Sequence, residues 1–151
     1  AGAAASTVSG FIKIDPMDGL EIGFGTGEIT AAAGGDNGDT DDHTTYYASY
    51  VYGPMTFAVQ RSNIDTKGST ADDEQTRWAV LYALNDEMSI SYQAHENDDN
   101  TTTVDEEATG ISASYTSGGI TIKMHRNSGD DIGNAVSNES EHTEIGVTFA
   151  F

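Results

Sequence analysis

Apolar residues recur at every second position along almost the whole chain, and no segment sustains the period of an amphipathic helix. The pattern is cleanest at the end. Thr143, Ile145, Val147, Phe149 and Phe151 fall on one face, and Glu144, Gly146, Thr148 and Ala150 on the other. Upstream the same alternation gives Ile12 and Ile14 around Lys13, then Leu20, Ile22 and Phe24 against Glu21, Gly23, Gly25 and Gly27. Further apolar faces are Tyr46, Ala48, Tyr50 and Tyr52, then Met55, Phe57 and Val59, then Trp78, Val80, Tyr82 and Leu84. Met88, Ile90, Tyr92 and Ala94 follow, then Thr109, Ile111, Ala113 and Tyr115, then Ile120, Ile122 and Met124. The spacing predicts about nine strands of roughly eight to eleven residues, long enough to cross a bilayer when tilted.

The connections sharpen this picture. Tight turns are predicted at 15–19, at Gly53-Pro54, at 85–87 and at 117–119. Between them lie long polar loops, at 31–43, 65–75, 97–107 and 128–141. A transmembrane β-barrel has this asymmetry, with short turns on the periplasmic side and longer loops outside. Tyr52, Tyr82, Tyr92 and Tyr115 sit on the apolar face, mostly toward the tight turns, where an interfacial girdle belongs.

At the terminus, Glu144-x-Gly146-x-x-Phe149-x-Phe151 resembles the closing signal of Gram-negative outer-membrane barrels, a polar residue and a glycine followed by two aromatics. With its acidic Gly-, Asn- and Thr-rich loops and strands such as Met88-Ser89-Ile90-Ser91-Tyr92, the chain is similar to the trimeric, sixteen-stranded general-diffusion porins of alphaproteobacteria. The resemblance implies an all-β, antiparallel transmembrane barrel in the outer membrane of a Gram-negative bacterium. It implies a homotrimer set among outer-membrane lipid and lipopolysaccharide, with Glu144, Gly146, Phe149 and Phe151 read by the barrel-assembly machinery. An odd number of strands ending on the periplasmic side further suggests that 1–151 is the carboxy-terminal portion of one longer barrel domain.

Composition supports the same class. Hydrophobic residues make up 36%, as expected when only alternate positions meet lipid. Acidic residues number 25 against 6 Lys and Arg, for a net charge of −19, which argues against nucleic acid as a partner. The absence of Cys removes disulfides and thiol chemistry. Ala1-Gly2-Ala3-Ala4-Ala5 lacks the charged and apolar regions of a signal peptide, so a mature or fragmentary sequence is expected.

Candidate chemistry then lies on the polar face. The residues expected to line a pore are Lys13, Glu21, Arg77, Gln93, His95, Lys123 and Glu144, together with Tyr47, Ser49, Gln60, Ser91 and His125. With the resemblance, Lys13, Arg77 and Lys123 are the basic wall that would face an acidic constriction and orient polar solutes. No cofactor is expected. The acidic loops, with Asp36, Asp39, Asp41 and Asp42 in the first, are candidates for weakly held calcium or magnesium. A solvated surface is the favoured reading, because none of them matches the EF-hand loop. Gly23-Phe24-Gly25-Thr26-Gly27 lies within a strand and precedes no helix, so it is not a phosphate loop. Four histidines accompany no nucleophile elbow or HExxH, and an enzyme is not expected. Two alternatives stand beside the porin. One is a small complete barrel with partner-binding loops, the other a secreted acidic β-sandwich that binds calcium or carbohydrate around a dry core.

Overall fold

The computed structural model describes residues 6–30, 40–66, 72–99 and 103–150. Nine strands run in it: β1 (Ser6–Met17), β2 (Leu20–Thr30), β3 (Thr40–Tyr52), β4 (Met55–Thr66), β5 (Asp73–Ala83), β6 (Met88–Asp99), β7 (Glu106–Ser117), β8 (Ile120–Asp130) and β9 (Ser140–Phe149). Each pairs antiparallel with the next in chain order, and β1 and β9 are the two edges of an open sheet.

The strands reach further than alternation alone suggests. Asp41 and Asp42 belong to β3, Asp73 and Glu74 to β5, Asp98 and Asp99 to β6, and Glu106 and Glu107 to β7, although the sequence pattern places them in loops. Sheet pairing is a backbone property and continues past the last apolar side chain wherever register is already set. The tight turns form near their predicted positions, the first of them shorter than 15–19 because β1 runs to Met17 and only Asp18-Gly19 turn. Gly118 and Gly119 both take positive φ, 57° and 79°, as a two-residue hairpin turn of the primed type requires. At the third turn the Asn85 side-chain oxygen accepts the amides of Glu87 and Met88 at 2.9 and 2.8 Å. Pro16 lies inside β1, where the register with β2 shifts between Ile14 and Met17, so its missing N–H interrupts no regular ladder.

Cross-strand neighbours share a face, so the register lays out both surfaces. Ile14, Ile22, Ala48, Val59, Trp78 and Ala94 stand directly opposite one another in one outward row. Lys13, Gly23, Tyr47, Gln60, Arg77 and His95 form the adjoining row on the other face. Among the described residues no hydrophobic side chain is buried. Ile12, Tyr52 and Ile145 are 65, 68 and 64% exposed. The buried residues in that set are glycines: Gly23, Gly110 and Gly129.

This inverts the usual arrangement. A sandwich would need a second sheet to cover the apolar face, and none exists among the described residues, which removes the dry-core alternative. In water each uncovered Ile, Phe or Val would forgo about 1.5–3 kcal/mol of burial. The sheet is stable only with that face in a nonaqueous medium. Aromatic pairs lie along it: Phe24 with Tyr46 at 5.2 Å, Trp78 with Tyr92 at 5.3 Å, and Tyr50 with Tyr52 at 6.4 Å toward the tight turns. Toward the long loops the outward positions turn charged and pair off, Arg61 with Glu74 and Arg126 with Glu141.

Candidate functional site: the polar face of the sheet

Every residue expected to line a pore falls on the face opposite the aromatic pairs. Lys13 and Arg77 share the row just described, with His95 facing Arg77. Glu21 and Gln93 occupy the next row through Ser49, Ala58 and Ala79. His125 and Glu144 continue the row of Ser91 and Ser112, and Lys123 stands between Ser114 and Gly146. Strand parity therefore holds at each of these positions, the register shift at Pro16 lying beyond Lys13.

The charged residues among them do not act alike. Lys13 forms an ion pair with Glu21, and the Tyr47 hydroxyl donates to the same carboxylate at 2.5 Å. One of the three expected wall cations is thus neutralised where it stands. Arg77 donates to the Gln75 side-chain oxygen at 3.1 Å, a neutral partner, and Lys123 is exposed. Toward the tight turns the wall is a lattice of hydroxyls, with Ser91 and Ser112 2.6 Å apart and Ser89 and Ser114 2.8 Å apart. Around Arg77 a groove of about 500 Å³ has Ala58, Ala79 and Ala108 among its lining, with Gln60, Arg77, His95 and Gln93 among its polar residues. The His95 Nε2 atom is buried there and has no hydrogen-bond partner among the described residues.

Ser112, His125 and Glu144 lie directly opposite one another, in an order that superficially suits a hydrolase. Their recorded interactions lead elsewhere. The Ser112 hydroxyl meets that of Ser91, and the Glu144 carboxylate lies 3.7 Å from His142. Among the described residues no group of three His, Asp or Glu side chains could hold a metal ion. Asp36 and Asp39 of the first acidic loop, and Phe151 of the terminal signal, lie outside the described residues.

Sequence reasoning missed several features of this face. Val51 and Leu81 sit on it by register, and so does Phe11, whose ring stacks on Tyr47 with centroids 6.0 Å apart and planes within 4°. The Lys13–Glu21 pair was within reach of the sequence, since a turn at Asp18-Gly19 brings these positions diagonally together. His43, the last residue of the first predicted loop, is instead a half-buried residue of β3 opposite Gly27 and Ile64, because β3 begins earlier than its apolar pattern.

A single-layer antiparallel sheet that is apolar on one face and polar on the other, with all its long connections at one end, is the wall of a transmembrane β-barrel. Comparison with known proteins narrows this class. Residues 3–151 match the Gram-negative porin family, and the chain belongs to it. No curated protein matches. The fold is similar to OmpT, an outer membrane protein of Vibrio cholerae, in its outer-membrane expressed form. There the TM-score is 0.66 at 14% identity, over 99% of this chain and 57% of that one. A form of OmpT lacking loop L8 gives 0.66 at 13% identity, over 96% and 53%. In-vitro folded OmpT gives 0.63 at 13%, over 95% and 54%. The chain thus spans a little over half the length of these structures, and the likeness is one of fold. The open sheet is part of a barrel, and its place is the outer membrane.

Proposed function

We propose that the intact protein is a water-filled channel for passive diffusion of small hydrophilic solutes and ions, with no covalent step and no resident cofactor. The carrying observation is a face that bears polar side chains on every strand, from Lys13 on β1 to Glu144 on β9, backed at each strand by an apolar one. Such a face has no use against lipid and suits a water-filled lumen. Lys13, Glu21, Arg77, Gln93, His95, Lys123 and Glu144 line it in this reading. Arg77 and Lys123 supply its positive wall, because Lys13 is offset by Glu21.

Acidic side chains crowd the long-loop end, where Asp73, Asp99, Glu106 and Asp130 are terminal residues of their strands and Asp41 is next to one, and the whole chain carries −19. A mouth of that sign concentrates cations and slows anions. The same carboxylates would hold calcium or magnesium weakly at most, bridging to lipopolysaccharide phosphates. By family resemblance the assembly is a homotrimer, and Glu144, Gly146, Phe149 and Phe151 act as the signal for barrel assembly. The test is conductance of the full-length protein in planar bilayers. Steady ohmic steps with a cation-favouring reversal potential are expected, and protein that inserts but carries no current would overturn the reading.

A further inference from the structure

Gly23 is one of the buried glycines on the polar face, and the group that covers it is the Tyr47 ring. The two residues are direct cross-strand partners. A Cβ built on Gly23 would come within 1.9 Å of Tyr47 Cε1 and 2.6 Å of Cδ1. No small shift accommodates that overlap, because the obstruction is a rigid ring held at both ends. One side of it stacks on Phe11 at 6.0 Å, and its hydroxyl is tied to Glu21, which is itself paired with Lys13. An aromatic side chain laid over a cross-strand glycine protects the glycine's backbone and gives up its own freedom to stand upright.

We infer that Gly23 sets the aperture of the channel along β1–β3, by giving the Tyr47 ring a berth flat against the wall. This rests on the diffusion-channel reading above. A side chain at position 23 evicts the ring, and the rotamers left to a strand tyrosine point it away from the sheet, into the path of solutes. The eviction also breaks the hydroxyl contact with Glu21. Gly110 has a related cover, its absent Cβ lying 2.6 Å from Asn127 Oδ1 and 3.0 Å from Gln93 Nε2. Those are flexible chain ends that can move aside, so the aperture effect belongs to Gly23.

Single-channel conductance of the full-length protein in planar bilayers tests this, with Gly23→Ala, Tyr47→Ala and the double substitution. Gly23→Ala is expected to lower conductance by roughly a quarter, since a projecting phenol ring takes up free cross-section. Adding Tyr47→Ala to it should restore the native value. Tyr47→Ala alone only removes atoms, so it remains informative even where Gly23→Ala fails to assemble. It should raise conductance only slightly, because the ring already lies on the wall. Unchanged conductance in Gly23→Ala, no rescue in the double variant, or a large rise in Tyr47→Ala would each overturn the inference. A native protein that carries no current fails the channel reading itself, which separates the two outcomes.

Discussion

Reversing the charge at Arg77 probes the wall apart from the acidic mouth. The guanidinium stands between Gln60 and His95 in its row, and its recorded side-chain partner is the neutral Gln75. Arg77→Glu therefore changes the local charge by two units, with no counter-ion beside it among the described residues to blunt the change. A monovalent ion passing about 8 Å away in water interacts with one such charge by about 0.5 kcal/mol, or about 1 kcal/mol for the reversal. At 0.1 M salt the Debye length of about 10 Å cuts this to roughly half. Cations gain that amount and anions lose it, so cation-over-anion preference rises about fivefold. At 1 M, where the Debye length is about 3 Å, almost nothing remains. The assay is the reversal potential across a potassium chloride gradient at the two ionic strengths. Arg61→Gln on the opposite face serves as the control and should leave selectivity unchanged. A native-like reversal potential for Arg77→Glu at 0.1 M would show that Arg77 does not face the ion path. A shift equally large at 1 M would show that its field is not the cause.

Other consequences follow from the same geometry. Removing Lys13 and Glu21 together, as Lys13→Gln/Glu21→Gln, deletes a net-neutral pair and should leave the reversal potential almost unchanged, whereas Lys123→Gln should move it toward cations by about twofold at 0.1 M. Val80→Arg puts a charge on the outward face and should lower unfolding stability in lipid vesicles by about 2–4 kcal/mol, while Leu81→Arg, one residue on and facing the other way, should cost less than about 1 kcal/mol. Equal losses at the two sites, measured by denaturant titration, would contradict the assigned faces. Gly119→Ala should destabilise by about 1–2 kcal/mol, because its φ of 79° is hostile to a side chain and the new Cβ would sit 3.1 Å from the Ala150 carbonyl oxygen.

Alternation made the strands and their faces readable, since a period of two is a direct consequence of the pleat. The tight turns were equally plain, because Gly53-Pro54 and Gly118-Gly119 admit few backbone paths. Strand ends were not. From Asp41 to Asp42 and from Asp98 to Asp99 the side chains carry no apolar signal, yet backbone pairing continues through them. Parity put Lys13, Arg77 and Lys123 on one face but could not separate them. What distinguishes them is diagonal register, which gives Lys13 a carboxylate from β2 and leaves Arg77 beside an amide. The berth of Tyr47 on Gly23 was hidden for the same reason. Three glycines fall on the polar face of β2, and only pairing with β3 reveals that the Tyr47 ring covers Gly23.

The central claim is that the two faces of this sheet meet two different solvents. It is tested most directly on β6, in a chain with no cysteine of its own. Single variants Ile90→Cys, Ser91→Cys, Tyr92→Cys and Gln93→Cys of the lipid-embedded full-length protein would be exposed to a water-soluble, membrane-impermeant thiol reagent. Labelling at positions 91 and 93, with none at 90 and 92, is the predicted result. The reverse alternation, or uniform labelling along the strand, would contradict the account.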